Sequence, residues 1–154
     1  MTDVVDRSTR SRMMSSIRGK ETRPEISVRR YLSGAGLRFR LHDKRLPGTP
    51  DIVLPSCRSV VLVHGCFWHR HPGCRLAATP SSNVEFWQHK FAANVARDTR
   101  KAKEIEALGW AVLVVWECQS EDELELDRLV WNLILRRSLR AGARGVPKYL
   151  SSHP

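Results

Sequence analysis

WAVLVVW, residues Trp110–Trp116, is the stretch on which the fold turns. Seven apolar residues without polar alternation are too few for a globular helix and read as a strand covered on both faces, hence central in its sheet. Working outward, Gly109 closes a long helix that Ser82-x-x-Glu85 opens as a capping box, with its end at about Leu108. A strand that follows a long helix returns parallel to an earlier strand. Downstream, Ser120-x-x-Glu123 opens an amphipathic helix to about Arg140.

The strand's partners lie in the first half of the chain. Thr22-x-x-Glu25, with Pro24 in the first turn, predicts a helix to about Ser33 that Gly34 and Gly36 stop. Leu37, Phe39 and Leu41 alternate with Arg38 and Arg40, the period of a half-exposed strand. The turn Leu46–Pro50 (LPGTP) leads into a second strand at Asp51–Leu54, and Ser59–Val63 (SVVLV) is a buried third. Helix, three strands, helix, strand and helix make an α/β sandwich. Ser8 to about Ile17 reads as a short basic helix or arm, and the tail beyond the last helix is loosely specified.

With 154 residues the chain is expected to form one domain. Twenty-six Lys and Arg against sixteen Asp and Glu give a net charge of +10, which favours a polyanionic partner, nucleic acid first. Residues 1–30 carry eight basic and four acidic groups, and residues 136–154 carry five basic groups and no acidic one. No run approaches about 18 apolar residues, so a membrane span is not expected. The polar N-terminus lacks the apolar run of a signal peptide, and the cytoplasm is the expected compartment. Four cysteines there suit thiols or metal ligands better than a disulfide framework.

The third strand ends in HGCFWHRHPGC, His64–Cys74, which gathers three histidines and two cysteines in eleven residues. Cys66, His71 and Cys74 on one loop, with Cys118 after the WEC strand end, make a Cys₃His set of the kind structural zinc uses. Buried reduced cysteines with an incidental histidine would fit the same residues, and Cys57 has no assigned role. Phe67 and Trp68 suit stacking on bases or wedging between them, or tucking under the loop as a small satellite core.

Adjacent strand ends bring Asp51, the Val63 carbonyl and His64 near one another; the carboxylate and the carbonyl oxygen suit Mg²⁺, and His64 and His69 flank them. Asp98 interrupts an inward helical stripe of Phe91, Val95, Ala102 and Ile105, so it needs a partner. An imidazole that it orients is the first candidate, and Arg97 or Arg100 the alternative. Glu25 is accounted for by its capping box, with a catalytic role as an addition.

RSRMMSSI, LPGTPDIVL, VLVHGCFWH, NVEFWQHKFAANVARD and LGWAVLVVWEC follow one another from about Ser8 to Cys118. In that order they resemble the very-short-patch-repair (Vsr) DNA mismatch endonucleases. The resemblance implies a restriction-endonuclease-like fold, a mixed β-sheet flanked by helices. It also implies Mg²⁺-dependent nicking of one strand at a T·G mismatch left when 5-methylcytosine deaminates. Asp51 and the Val63 carbonyl would hold Mg²⁺, His69 would be the general base with Asp98 behind it, and His64 would lie beside the scissile phosphate. Cys66, His71, Cys74 and Cys118 would hold zinc. Phe67, Trp68 and Trp87 would form a major-groove wedge, with Met14 entering from the minor-groove side.

Residues 1–20 are then a basic DNA-contacting arm in which Arg10 and Arg12 meet phosphates. Residues 21–140 are the endonuclease domain and 141–154 a basic tail. The expected partner is double-stranded DNA with a T·G mismatch, bound by a nucleoid-associated monomer beside mismatch-repair proteins. The rivals are a zinc-braced DNA-binding module without chemistry and a restriction-type endonuclease cutting unmodified duplex.

Overall fold

The computed structural model describes residues 6, 8–9, 11–12 and 19–142. Arg10, Met14 and residues 143–154 lie outside the described residues, whereas Arg12 is exposed in a helical stretch. Helix α1 spans Arg23–Gly34. Thr22 caps it by accepting from the Glu25 amide at 3.4 Å, while the Glu25 carboxylate turns back to the Glu21 amide at 3.0 Å. The capping box therefore closes one residue further back than its usual form. Val28 and Leu32, one turn apart, are wholly buried. Burying a side chain of that size contributes about 1.5–3 kcal/mol.

Four strands follow: β1 (Arg40–Leu41), β2 (Ile52–Leu54), β3 (Ser59–His64) and β4 (Ala111–Trp116). The sheet order is β1-β2-β3-β4, with the first three antiparallel and β4 parallel to β3. Helix α2 (Val84–Ala107) makes the connection between β3 and β4, and α3 (Glu123–Gly142) ends the described chain. Ile52, Leu54 and Val61 face a core shared with α1 and α3, whereas Val53 and Val60 face Ile105 of α2. The middle of the sheet is thus β2 and β3, covered on both sides.

Several local expectations give way to tertiary packing. Strand β4 lies at an edge of the sheet rather than at its centre, with Val115 buried and Val114 41% exposed. An unbroken apolar run reports strand propensity and partial cover but not lateral position. Of the strand expected over 37–41 only Arg40 and Leu41 pair, with Val53 and Ile52 of the three-residue β2, and His42 ends the strand at φ +46°. Ser82 does not cap α2; Asn83 holds the N-cap position at φ +52° with no side-chain bond. Asp122, not Ser120, caps α3, its carboxylate accepting from Leu124 and Glu125 amides at 3.0 and 3.3 Å. The Ser120 hydroxyl instead donates to the Glu117 carbonyl.

Val95 is 41% exposed, so the inward stripe of α2 runs through Trp87, Phe91, Asn94, Asp98, Lys101 and Ile105. Gly109 takes φ +82° after α2, and the Arg58 guanidinium donates to the Leu108 carbonyl at 2.9 Å. No helix among the described residues is long and apolar enough to cross a membrane.

Candidate active site and metal centre

The site forms where the ends of β2, β3 and β4 meet α2. Because Ile52 pairs with Val61 in antiparallel register, Asp51 comes level with the end of β3. Its Oδ2 accepts from the Val63 amide at 2.8 Å. Asp51 and Val63 therefore meet as expected, and the contact runs through the Val63 N–H. Burial, then Glu25, pushes the Asp51 carboxyl up, while the Val63 amide, His42 and His69 pull it down, with a net rise. A half-buried carboxylate with one oxygen on the Val63 amide and the other open to the cleft is a fitting ligand for a hard divalent ion.

His69 follows the turn after β3, its amide bonding the Gly65 carbonyl at 3.1 Å. His69 Nδ1 lies 2.5 Å from Asp98 Oδ2, so the imidazole is the partner that Asp98 requires within the stripe of α2. Burial raises the Asp98 carboxyl, but the His69 hydrogen bond and charge, with His64 and Arg97, outweigh it and leave the net shift downward. A carboxylate accepting from Nδ1–H leaves Nε2 as the acceptor nitrogen. His64 stacks on His69 with centroids 4.1 Å apart and rings 8° from parallel. Burial first, and His69 second, lower His64 to about 4.

Beside this dyad lies the Cys/His cluster. Its four ligand atoms, from Cys66, His71, Cys74 and Cys118, lie within 4.8 Å of one another. His71 Nδ1 is 3.6 Å from Cys66 Sγ and 3.3 Å from Cys118 Sγ. Tetrahedral ligands at bond lengths of about 2.0–2.3 Å sit roughly 3.3–3.8 Å apart, so the four residues fit zinc in number, kind and spacing. Pro72-Gly73 closes the loop with Gly73 at φ +68°. The His71 ring lies flat on Trp116 at 4.3 Å, and the Cys66 amide donates to Glu117 Oε2 at 3.1 Å. Burial pushes the Cys66 thiol up to about 12 in the metal-free cluster, and as a zinc ligand it would bind as the thiolate and release its proton.

Phe67 stands at 90° to Trp68 with centroids 5.0 Å apart, and packs edge-on to Trp87 and Phe91 at 5.6 and 5.1 Å. Trp87 is only 6% exposed and forms the base, while Phe67 and Trp68 are half-buried above it. The rings are therefore both a small core and a partly open platform. The Lys90 ammonium sits 5.4 Å from the Trp68 ring, and Asn94 Nδ2 donates to the Trp68 carbonyl at 3.3 Å.

Asp51, His64, His69, Asp98, Glu25 and the aromatic platform all line one cleft of 1410 Å³. Lys20, Lys44, Lys90, Arg97 and Lys101 line it too. That volume exceeds the roughly 300–1,000 Å³ of an ordinary small-molecule site and suits a polyanion. Sequence reasoning did not single out His42, Arg29, Lys90, Asn94 or Glu117. Lys90 and Asn94 were findable, because they share the Trp87–Phe91 face of α2. His42 sits in an irregular turn with no periodicity to mark it.

The profile of the DNA mismatch endonuclease Vsr family matches residues 2–75. The type II nicking enzyme V.XorIIP of Xanthomonas oryzae pv. oryzae is 49% identical over 134 residues, 87% of this chain and 98% of that protein. The DNA mismatch endonuclease Vsr of Escherichia coli K12 is 46% identical over 118 residues, 77% of this chain and 75% of that protein. The type II nicking enzyme V.NmeAIP of Neisseria meningitidis is 44% identical over 134 residues, 84% and 95% of the two chains.

Proposed function

Since the chain belongs to the Vsr family of DNA mismatch endonucleases, and is a DNA endonuclease of the hydrolase class, we propose that it nicks one strand at the thymine of a T·G mismatch. The observation that carries this reading is the His69–Asp98 pair, stacked on His64 in the same cleft as Asp51 and the aromatic platform. Such mismatches arise by deamination of 5-methylcytosine, and very-short-patch repair is the setting that fits. The mixed sheet would be the restriction-endonuclease-like core.

Asp51 and the Val63 carbonyl would hold Mg²⁺, which supplies Lewis-acid stabilisation of charge on the scissile phosphate. His69 Nε2 takes the proton from the attacking water, and Asp98 fixes its tautomer and steadies the imidazolium formed. His64, neutral at neutral pH, lies flat on His69 and offers a donor to the phosphate without adding a charge. Glu25 is bound to the Glu21 amide and to Arg29, so its part is to shape the wall beside Asp51. Zinc on Cys66, His71, Cys74 and Cys118 would saturate its tetrahedron and brace the loop that carries His69.

Phe67 and Trp68, based on Trp87, would enter the stack at the mismatch. Unstacking costs a few kcal/mol per step and less at a displaced wobble pair, which converts into selectivity. The protein would act as a nucleoid-associated, cytoplasmic monomer on double-stranded DNA, alongside mismatch-repair proteins. The test is nicking of three duplexes that differ only at one pair, T·G, A·T or G·C. Cleavage confined to the thymine strand of T·G supports the reading. Equal cleavage of all three points to a restriction-type endonuclease instead.

A further inference from the structure

Arg70 stands between His69 and His71 in the loop after β3, yet its side chain joins neither the histidine–aspartate pair nor the Cys/His cluster. Its guanidinium carbon lies 4.0 Å from the ring centroid of Phe91, on the inward face of α2. Nη2 donates to Thr79 Oγ1 at 2.8 Å, in the segment that leads into α2. One side chain therefore ties the loop that carries His69 both to α2 and to the approach to that helix.

The position is held against two costs. The Arg70 backbone takes φ +57°, a left-handed conformation that disfavours a residue with a Cβ. Nη1 is buried with no hydrogen-bond partner among the described residues, and no carboxylate among them pairs with the charge. A buried donor left unmet is unfavourable, so the ring face has to hold the cation. A guanidinium drawn out of water over an aromatic face is the setting in which that attraction is strongest. Local strain of this kind collects where geometry serves a function.

What the guanidinium holds is the underside of the aromatic platform. Phe91 meets Phe67 edge-on, with centroids 5.1 Å apart and an interplanar angle of 85°. It lies more nearly flat on Trp87, at 5.5 Å and 28°. Phe91 is buried, and neither it nor Arg70 lines the cleft, whereas Phe67, Trp68 and Trp87 all do. Arg70 thus acts on the platform from behind, with Phe91 between them.

We infer that Arg70 is a positioning residue of the aromatic platform: clamped on Phe91, it fixes the angle at which Phe67 and Trp68 meet a mismatched pair, and it touches no DNA. This rests on the reading of Phe67 and Trp68 as the rings that enter the stack. Rings held at one angle lose little freedom on binding, so more of their contact energy goes to separating a poorly stacked pair from a well-stacked one.

The experiment measures binding of the full chain to T·G and matched duplexes over a series of salt concentrations, without Mg²⁺ so that no strand is cut. Arg70→Gln removes the cation from the ring while leaving a polar side chain. The T·G-to-matched affinity ratio should fall by about tenfold, within the reach of one cation–π contact, with the salt slope unchanged. Arg70→Lys, which returns a cation, should recover part of the ratio. A merely structural role would weaken both duplexes by the same factor, and that parental ratio overturns the inference. A flatter salt slope overturns it too, because it makes Arg70 a phosphate contact. Should Arg70→Gln fail to fold, Thr79→Ala reads the same clamp at an exposed hydroxyl. A lowered ratio in that variant supports the inference and a parental one overturns it. A parent that binds both duplexes alike removes the reading of Phe67 and Trp68 itself, whereas a preference that Arg70→Gln retains removes the inference alone.

Discussion

His69 Nδ1 lies 2.5 Å from Asp98 Oδ2, joining the loop after β3 to the inward face of α2. Asp98→Asn keeps the size of the side chain but removes the charge that fixes the histidine's tautomer. Single-turnover nicking should slow by on the order of 10²–10⁴-fold, as should that of His69→Ala, with DNA affinity little changed. Unaltered nicking by Asp98→Asn would give the pair a structural role only.

This pairing is legible in the sequence. A carboxylate on an apolar helical stripe needs a partner, and among the alternatives Arg97 turns to Asn94 while Arg100 turns to Glu104. Phe91, Asp98 and Ile105 lie on the stripe as expected, whereas Val95 is 41% exposed and Asn94 takes its place, because a valine counts as apolar whether it is covered or not. The Cys/His cluster was legible for a related reason: metal ligands are chemically rare enough that four at workable spacing stand out. The Arg29–Glu25–His42 network was not, since it depends on a backbone bend at His42 that no local pattern encodes. The edge position of β4 was hidden for a different reason, because lateral order in a sheet is decided by pairing rather than by composition.

The zinc site should hold one ion per chain by elemental analysis. Cys118→Ser removes an exposed sulfur of the Cys/His cluster that lies outside the apolar core. It should nonetheless lower thermal stability and zinc content together, because the ion's binding energy is folding energy. A variant with full zinc content and parental stability would exclude Cys118 from the set.

His64 predicts a pH effect of definite sign. Its folded value of about 4 lies below the ordinary 6.5, so between these limits the unfolded chain binds more protons. Its contribution to stability is complete above pH 6.5 and is lost as pH falls toward 4. Urea midpoints at pH 7 and pH 5 should therefore differ more for the parent than for His64→Phe. Both keep Cys66, His71, Cys74 and Cys118, so any loss of metal from that cluster in acid would cancel in the comparison. Equal differences would place His64 in a site that tolerates its charge.

Trp68→Ala should reduce affinity for T·G duplex more than for matched duplex, because base–aromatic stacking is worth about 1–3 kcal/mol. Its ring meets Phe67 and Trp87 at 5.0 and 6.0 Å, so stability must be followed in parallel. Arg12→Ala, at an exposed position, should weaken both duplexes alike and flatten the salt dependence. An unchanged T·G-to-matched ratio in a destabilised Trp68→Ala would make the ring part of the core alone.

The central claim is that Asp51 anchors the ion on which nicking depends, at the end of a strand whose register sets it against Val63. Asp51→Ala on a T·G duplex in Mg²⁺ tests this most directly, with nicking and binding read on the same samples. Nicking should fall to background while DNA affinity stays the same or rises, because a carboxylate facing phosphate has been removed. Retained Mg²⁺-dependent nicking by this variant would contradict the account.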